Sequence, residues 1–298
     1  MTLKSTVSVA LAMTMLGVSS GCFRSTKLVQ KTMAPDVYHS ASVEALEKDV
    51  QDRDAAIKTL NAGVLITATV GGGKTGQVTT YTSFRGYIFV RKPEDLRVIM
   101  QLPVIGSRAL DMVSNGKTFT LVHATAGHGD VWMHGSNTVT TPSKNGLENL
   151  RPGVFLDSLL VPGVAANEFV SLNESTRIMP SPDKKRVAIE EPDYDLTISK
   201  VKSGNVLQTT RVLHISRITM LPFQQDIYDN QGRVVTSALY ENYKDFNGVQ
   251  FPMTITMKRP LDEYSLKVDV TKLTVNAPFD DDQFELAIPA GVTVQEMK

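Results

Sequence analysis

Three histidines lie close enough in the sequence to raise the question of a metal site. His123, His128 and His134 are separated by five and six residues, with Asp130 between the last two. Ligands that share one face of a β-strand need even spacing, and His128 lies in an Ala-Gly-His-Gly turn. The pattern therefore favours surface histidines of an edge hairpin over a metal-binding cluster.

A glycine-rich segment raises the question of phosphate binding. Residues 68–75, Ala-Thr-Val-Gly-Gly-Gly-Lys-Thr, satisfy a relaxed form of the phosphate-binding loop pattern. Such a loop must open onto a helix whose N-terminal amides hold the phosphates. The residues after Thr75 instead alternate with a period of two and are rich in Thr, Tyr, Val and Phe. We therefore predict the tip of a β-hairpin here and no nucleotide site.

Other residue types that could do chemistry lack the spacing that the chemistry needs. The acidic groups at 190–193 and 280–282 do not have the ligand spacing of a calcium loop, and each lies beside a proline-containing turn. The sequence has no G-x-S-x-G motif, and His214, on a strand-like segment, has no evident serine partner. The sequence therefore predicts no enzyme, no catalytic residue, no metal site and no cofactor.

Composition excludes further classes of protein. The chain has 298 residues, of which 42% are hydrophobic and 21% charged, which is ordinary globular usage. Lysine plus arginine equals aspartate plus glutamate at 31 each, so no overall field attracts nucleic acid. A single cysteine, Cys22, excludes an intramolecular disulfide framework and a multi-cysteine metal site.

The N-terminus has the pattern of a secretory signal. Lys4 supplies the positive charge, and the apolar run from Val7 to Val18 is shorter than the about 20 residues that span a bilayer. Ser19-Ser20-Gly21 before Cys22 resembles the lipobox of bacterial lipoproteins, in which the cysteine is acylated and the signal is cut just before it. The alternative is an ordinary secreted protein that is cut near Gly21, with Cys22 as a free thiol.

The lipoprotein interpretation sets the predicted organisation of the chain. Residues 1–21 are the signal peptide, 22–40 a lipidated flexible tether without periodicity, and 41–298 the folded domain. Phe23 stands where enterobacterial lipoproteins kept in the inner membrane carry Asp. We therefore expect a lipid-anchored protein of the bacterial outer membrane that faces the periplasm.

The periodicity of apolar residues predicts a mainly β (α+β) domain. An amphipathic pattern with Ser42 as N-cap predicts a helix to Asn61, and a second, proline-interrupted helical stretch spans 146–160. The remaining apolar segments alternate with a period of two and are separated by turn residues, which favours antiparallel hairpins. Predicted strands span 64–70, 77–91, 96–102, 109–114, 118–124, 130–138, 186–190, 195–201, 209–220, 224–228, 234–245, 250–258 and 264–275.

Three motifs along residues 41–298 resemble one known family. They are Gly86-Tyr-Ile-Phe-Val-Arg-Lys-Pro93, Ser114-Asn-Gly-Lys-Thr118, and the segment from Phe284 to Val294, Phe-Glu-Leu-Ala-Ile-Pro-Ala-Gly-Val-Thr-Val. Together with the order of helices and strands, they resemble the LolA/LolB superfamily, which carries and receives lipoproteins in the bacterial periplasm. The resemblance implies an incomplete, curved antiparallel β-barrel, a half-barrel whose apolar cavity is covered by an N-terminal helix and a central helical lid.

The resemblance also implies roles for particular residues. The apolar cluster of the second helical stretch would belong to the lid and cavity; its members are Phe155, Leu156, Leu159, Leu160 and Val161. In the soluble carrier of the family, an arginine before the proline is tied to lid opening. Lys92 holds that position here, with Arg91 before it, so both are latch candidates, although lysine lacks the planar fork of arginine.

The resulting functional hypothesis is a membrane-anchored protein that binds acyl chains of lipoproteins or lipids and acts in their sorting to the outer membrane. The expected partners are those acyl chains and the membrane, with no nucleic acid, and unidentified envelope proteins remain open. The alternative is a surface-anchored β-rich structural or interaction module of the cell envelope that carries no lipid.

Overall fold

The computed structural model describes residues 29, 31–35, 37–125, 129–137, 151–181 and 187–297. The chain divides into two compact units. The small unit comprises Met1–Asp36 and Ile178–Glu190, and the large unit comprises Val37–Arg177 and Glu191–Lys298.

The described residues are mainly β-strand, as the sequence predicts. The helices are α1 (Val43–Ala56) and α2 (Pro152–Leu159), with a 3-10 turn at Asp281–Phe284. The strands are β1 (Lys31–Met33), β2 (Thr59–Gly72), β3 (Gln77–Thr80), β4 (Phe84–Arg91), β5 (Asp95–Gln101), β6 (Arg108–Asn115), β7 (Thr118–Thr125), β8 (Gly129–Ser136), β9 (Phe169–Pro180), β10 (Val187–Ser203), β11 (Val206–Ser216), β12 (Pro222–Tyr228), β13 (Val234–Phe246), β14 (Val249–Arg259), β15 (Tyr264–Val275) and β16 (Val294–Met297).

One sheet organises the large unit. Its strand order is β10-β11-β12-β13-β14-β15-β2-β4-β5-β6-β7-β8-β16, and β3 pairs with β2. Neighbouring strands are antiparallel, apart from the parallel pair of β16 and β8. Within the described residues β16 does not pair with β10, so the sheet is open. In the small unit, β1 pairs in parallel with Val187–Ile189. Strand β1 lies within residues 22–40, which the sequence predicted only as a tether.

Helix α1 begins where the sequence predicts and ends earlier. The Ser42 hydroxyl accepts a hydrogen bond from the Ala45 N–H at 3.3 Å and caps the helix. The helix ends at Ala56, and the residues predicted as its last turn start β2. There Leu60 pairs with Val90 on one side and Val275 on the other. The ladder bonds on both sides of β2 therefore outweigh a further turn of helix.

Three further element boundaries differ from the prediction. The segment predicted as one strand over 77–91 is two strands, since β3 and β4 pair with successive parts of β2 in shifted register. Strand β10 runs unbroken through the Pro192 turn predicted between two strands. Helix α2 starts at Pro152 instead of being kinked by it, because proline lacks only an N–H that the first turn does not use. Residues 146–150 of the predicted helix lie outside the described residues.

Two apolar clusters form the core of the large unit. The main cluster covers the inner faces of β2, β4 to β7 and β13 to β15, together with Val154, Phe155 and Leu159 of α2. The second cluster joins Leu46 and Val50 of α1 to residues of β10 and β11. Val161, just after α2, packs against both clusters. In the part of the chain that the structure describes, no helix combines the length and the apolar character needed to cross a bilayer.

Candidate ligand cavity

An open cavity of about 380 Å³ lies where the end of α1, the end of α2 and strands β13 and β14 meet. This volume falls within the range of small-molecule sites, about 300–1,000 Å³. Its apolar lining includes Ile57, Leu159, Leu160, Val161 and Phe251, and charged residues also line it: Asp49, Asp52, Arg53, Asp54 and Lys92. The apolar part of this lining suits a hydrocarbon chain.

Helix α2 and the residues just after it supply one wall of the cavity, and other side chains of α2 pack into the core beside it. Leu159, Leu160 and Val161, which the sequence analysis assigned to a lid, line the cavity. Phe155 is fully buried in the main cluster, and Leu156 is half-buried against it. The side chains of α2 therefore fill much of the space next to the inner face of the sheet, and the cavity is what they leave open.

The two residues predicted as latch candidates have different surroundings. The Lys92 ammonium lies at the cavity rim, where it donates hydrogen bonds to the backbone carbonyl and the carboxylate of Asp54 at the end of α1. Arg91 donates to Asp95 at 2.8 Å and to Asp281 at 2.6 Å, and its guanidinium stacks on the Phe284 ring. Hydrogen bonds to Asp281 and Asp95 raise the pKa of Arg91. Lys92 thus holds helix α1, and Arg91 holds the C-terminal segment.

A buried arginine that the sequence analysis did not single out holds the segment after α2. On β11, the Arg211 guanidinium donates to the carbonyls of Pro162 at 2.5 Å and Gly163 at 2.6 Å. It also lies 3.7 Å from the Glu168 carboxylate. Burial lowers the pKa of Arg211, and Glu168 acts in the opposite direction. Residues 160–168, here termed the strap, are therefore fixed to the sheet by a charged group.

The sequence contained a signal for Arg211. It alternates in phase with Leu213 and Ile215, whose side chains are buried. A charged residue in phase with the buried positions of a strand requires a polar partner inside the protein.

Polar groups also lie on the inner side of α2. The Gln225 amide of β12 donates to the Asp157 carbonyl at 2.7 Å. Tyr240 of β13 lines the cavity, and burial raises the pKa of its hydroxyl well above the usual range. The hydroxyl of Tyr243, which also lines the cavity, donates to the Pro222 carbonyl at 2.8 Å, and burial raises its pKa as well.

The histidines considered for metal binding do not converge. His123 is buried on the face of β7 that carries Leu121, which corrects the expectation of a surface residue. His134 of β8 pairs with Thr120 of β7, on the face of the sheet opposite to His123. The His134 Nδ1 atom lies 3.2 Å from the Thr120 hydroxyl. His128 lies outside the described residues. Over the described ranges, no group of three or more His, Cys, Asp or Glu residues is arranged so that it could hold a metal ion.

The other sequence motifs occupy structural positions. Residues 68–75 form the end of β2 and most of the turn into β3, at the tip of a hairpin as predicted. Gly71 there has a φ of +100°, and a Cβ atom would lie 2.1 Å from the Gln77 carbonyl oxygen. His214 lies between two carboxylates, with Nδ1 2.6 Å from Asp195 and Nε2 3.3 Å from Asp226. Burial alone would lower the pKa of His214, but the bonds to Asp226 and Asp195 outweigh it and raise the pKa. Cys22 lies outside the described residues.

The fold and the cavity together define a mainly β protein with an open sheet and a partly apolar cavity beside two helices. No family model and no curated protein matches the sequence. Solved structures that match include a DUF1329 family protein from Desulfovibrio piger, at 14% identity and a TM-score of 0.49, over 82% of this chain and 95% of that one.

Two further matched structures carry the family name that the motifs suggested or a related one. A LolA superfamily protein from Nitrosomonas europaea matches at 14% identity and a TM-score of 0.48, over 80% of this chain and 97% of its own. A domain of outer membrane lipoprotein-sorting type from Vibrio parahaemolyticus matches at 12% identity and a TM-score of 0.43, over 81% and 95%.

Proposed function

We propose that the protein is an outer-membrane lipoprotein that binds acyl chains of lipoproteins or lipids and acts in their sorting to the outer membrane. The observation that carries the proposal is the cavity of about 380 Å³ beside α2, whose apolar wall includes Leu159, Leu160 and Val161. Burial of each chain methylene stabilises the complex by about 0.8 kcal/mol, so about ten methylenes supply about 8 kcal/mol before the costs of association. The protein then binds its cargo without covalent chemistry.

In this proposal the sheet is a half-barrel and α2 is its lid. The side chains of Phe155 and Leu159 fill part of the interior, so a long chain enters when α2 moves outward. The eight-residue helix is short, and the strap that follows it is tied to Arg211. Lys92 holds α1 at the opposite rim and so keeps one side of the entrance fixed while the other moves.

A cavity-filling substitution tests acyl binding directly. We expect Leu160→Trp to reduce the affinity for a fluorescent palmitate analogue about tenfold, because the larger side chain occupies the cavity that Leu160 lines. Leu207→Trp is the matched control, since Leu207 is exposed on β11 away from this cavity. Equal affinities of the two variants, or no binding by the lipid-stripped full-length protein, would favour the alternative of an envelope module without lipid cargo.

We propose further that Cys22 is the site of lipid attachment and anchors the chain to the outer membrane. Several acyl chains on one terminal residue suffice for stable anchoring. Cys22→Ala is expected to move the protein from the membrane fraction to the soluble periplasmic fraction, with Cys22→Ser behaving in the same way. Retention of both variants in the membrane fraction would contradict the proposal.

A further inference from the structure

Three buried polar atoms near the cavity have no hydrogen-bond partner among the residues that the structure describes. They are Ser158 Oγ of α2, Gln225 Oε1 of β12 and Tyr240 Oη of β13. Ser158 and Gln225 are fully buried, and Tyr240 is 4% exposed. Buried polar atoms in native proteins are nearly always paired with protein, water or ligand. Three such atoms in one region therefore indicate that something polar binds among them.

The strand register and one hydrogen bond place these three residues close to one another. Gln225 pairs with Ala238, and Tyr240 follows two residues later on the same face of β13. Gln225 and Tyr240 are thus diagonal neighbours on the inner face, within reach of one small polar group. The bond from the Gln225 amide to the Asp157 carbonyl brings the adjacent Ser158 to the same place. Of the three residues, Tyr240 lines the cavity, as does Leu159 next to Ser158, so a polar group bound among the three atoms meets the cavity at Tyr240.

The chemistry of the three atoms specifies what they can bind. The amide nitrogen of Gln225 already donates to Asp157, so Oε1 points elsewhere and needs a donor. The Ser158 and Tyr240 hydroxyls need an acceptor, and burial keeps the Tyr240 hydroxyl protonated because it raises its pKa. A secondary amide offers both functions, since its N–H donates and its C=O accepts. An ester offers only the acceptor, so Gln225 Oε1 can then be paired only by a hydroxyl that no longer donates to the ligand.

We propose that the inner wall of the cavity recognises the amide group of an N-acylated ligand, so that the cavity selects amide-linked over ester-linked acyl chains. This inference rests on the proposed acyl-binding function and adds its specificity. The amide is the shared chemistry of an N-acylated polypeptide terminus and of an amide-linked lipid. In either ligand, the acyl chain runs from the polar group into the apolar part of the cavity.

An isosteric ligand pair tests the selectivity. Palmitoylethanolamide and 2-hydroxyethyl palmitate differ only in the amide N–H that replaces the ester oxygen. Both are titrated by competition with a fluorescent fatty acid against the lipid-stripped full-length protein. We expect the amide to bind about tenfold more tightly than the ester. An N-palmitoyl peptide is the third ligand, and whichever amide binds more tightly identifies the source of the ligand.

Two variants assign the selectivity to these atoms. Gln225→Met removes the acceptor, and we expect it to abolish the preference for the amide, whereas Gln224→Met retains it. Gln224 is the matched control because it lies on the opposite face of β12, where its side chain bonds to Asp226. Tyr240→Phe removes only a hydroxyl without a partner in the fold, and we expect it to weaken binding of amide and ester alike.

The outcomes separate the inference from the function on which it rests. If neither ligand binds, the proposed acyl-binding function fails. If both bind equally, or if Gln225→Met and Tyr240→Phe leave both affinities unchanged, acyl binding stands but amide recognition is overturned. Water would then fill the polar site.

Discussion

Arg211 offers the sharpest test of how the strap is held. We consider Arg211→Met, which keeps much of the apolar stem and removes the guanidinium. Its two bonds to the carbonyls of Pro162 and Gly163 are 2.5 and 2.6 Å long. Hydrogen bonds that involve a charged group contribute about 1.5–3 kcal/mol each, so the pair contributes about 3–6 kcal/mol. Loss of the guanidinium also removes the penalty of burying it, which offsets part of this amount.

The net change in the free energy of unfolding also depends on Glu168, the acidic partner of Arg211. The buried Glu168 carboxylate loses Arg211 but keeps Lys200, whose ammonium lies 3.6 Å away. We therefore expect Arg211→Met to lower the free energy of unfolding by about 2–4 kcal/mol. Urea denaturation followed by circular dichroism measures this change. The control is Arg233→Met, because Arg233 is more than half exposed in its ion pair with Asp229 and should contribute at most about 1 kcal/mol.

A local readout accompanies the global one. The Val164 N–H in the strap donates to the Gln51 side chain of α1 at 3.1 Å, and this bond depends on the position of the strap. Hydrogen exchange over residues 160–168 should accelerate in Arg211→Met and stay unchanged in Arg233→Met. Equal stability of the two variants, with unchanged exchange in the strap, would refute the role assigned to Arg211.

Two further predictions concern the sheet. Because bonded carboxylates raise the pKa of His214, its contribution to stability is fully present below about pH 6.5 and is lost as pH rises through the raised pKa. The difference in unfolding free energy between wild type and His214→Asn should therefore shrink from about pH 5 to about pH 9, and a constant difference would contradict this. In thermal melts, Gly86→Ala should cost about 3 kcal/mol or more, since its Cβ atom would lie 2.2 Å from the Ile99 carbonyl oxygen. Gly153→Ala should be neutral or stabilising, because its Cβ atom would lie 3.9 Å from Asp157 Oδ2, an ordinary contact distance.

Much of the fold follows from local patterns in the sequence. Alternation with a period of two located most strands, and Ser42 marked the start of α1 because a side-chain cap is a local interaction. The end of α1 was not predictable in this way. Leu60 fits the apolar face of a helix and equally the buried face of a strand, and pairing with β4 and β15 decides between them. Such pairing joins residues far apart in the sequence.

The candidate site was predictable in its apolar part and less so in its polar part. The apolar cluster at 155–161 indicated where α2 would pack, since a hydrophobic stripe must be buried somewhere. Gln225 and Tyr240 gave no such indication, because polar residues on strands are common on solvent faces. Gln225 and Tyr240 become candidates for ligand binding only because β12 and β13 lie side by side in the sheet and α2 contacts β12 through Asp157. Arg91 and Lys92 are adjacent in sequence, and only the structure shows that they bond to different partners, Asp281 and Asp54.

The central claim is that the cavity beside α2 holds acyl chains. Native mass spectrometry of the full-length protein, isolated from membranes in a mild detergent and then stripped of lipid and reloaded, measures this directly. We expect peaks shifted by the mass of bound acyl ligands. The fraction of ligand-bound protein should fall in Leu160→Trp and stay unchanged in Leu207→Trp. A protein that carries no ligand as isolated and takes up none on reloading would contradict it.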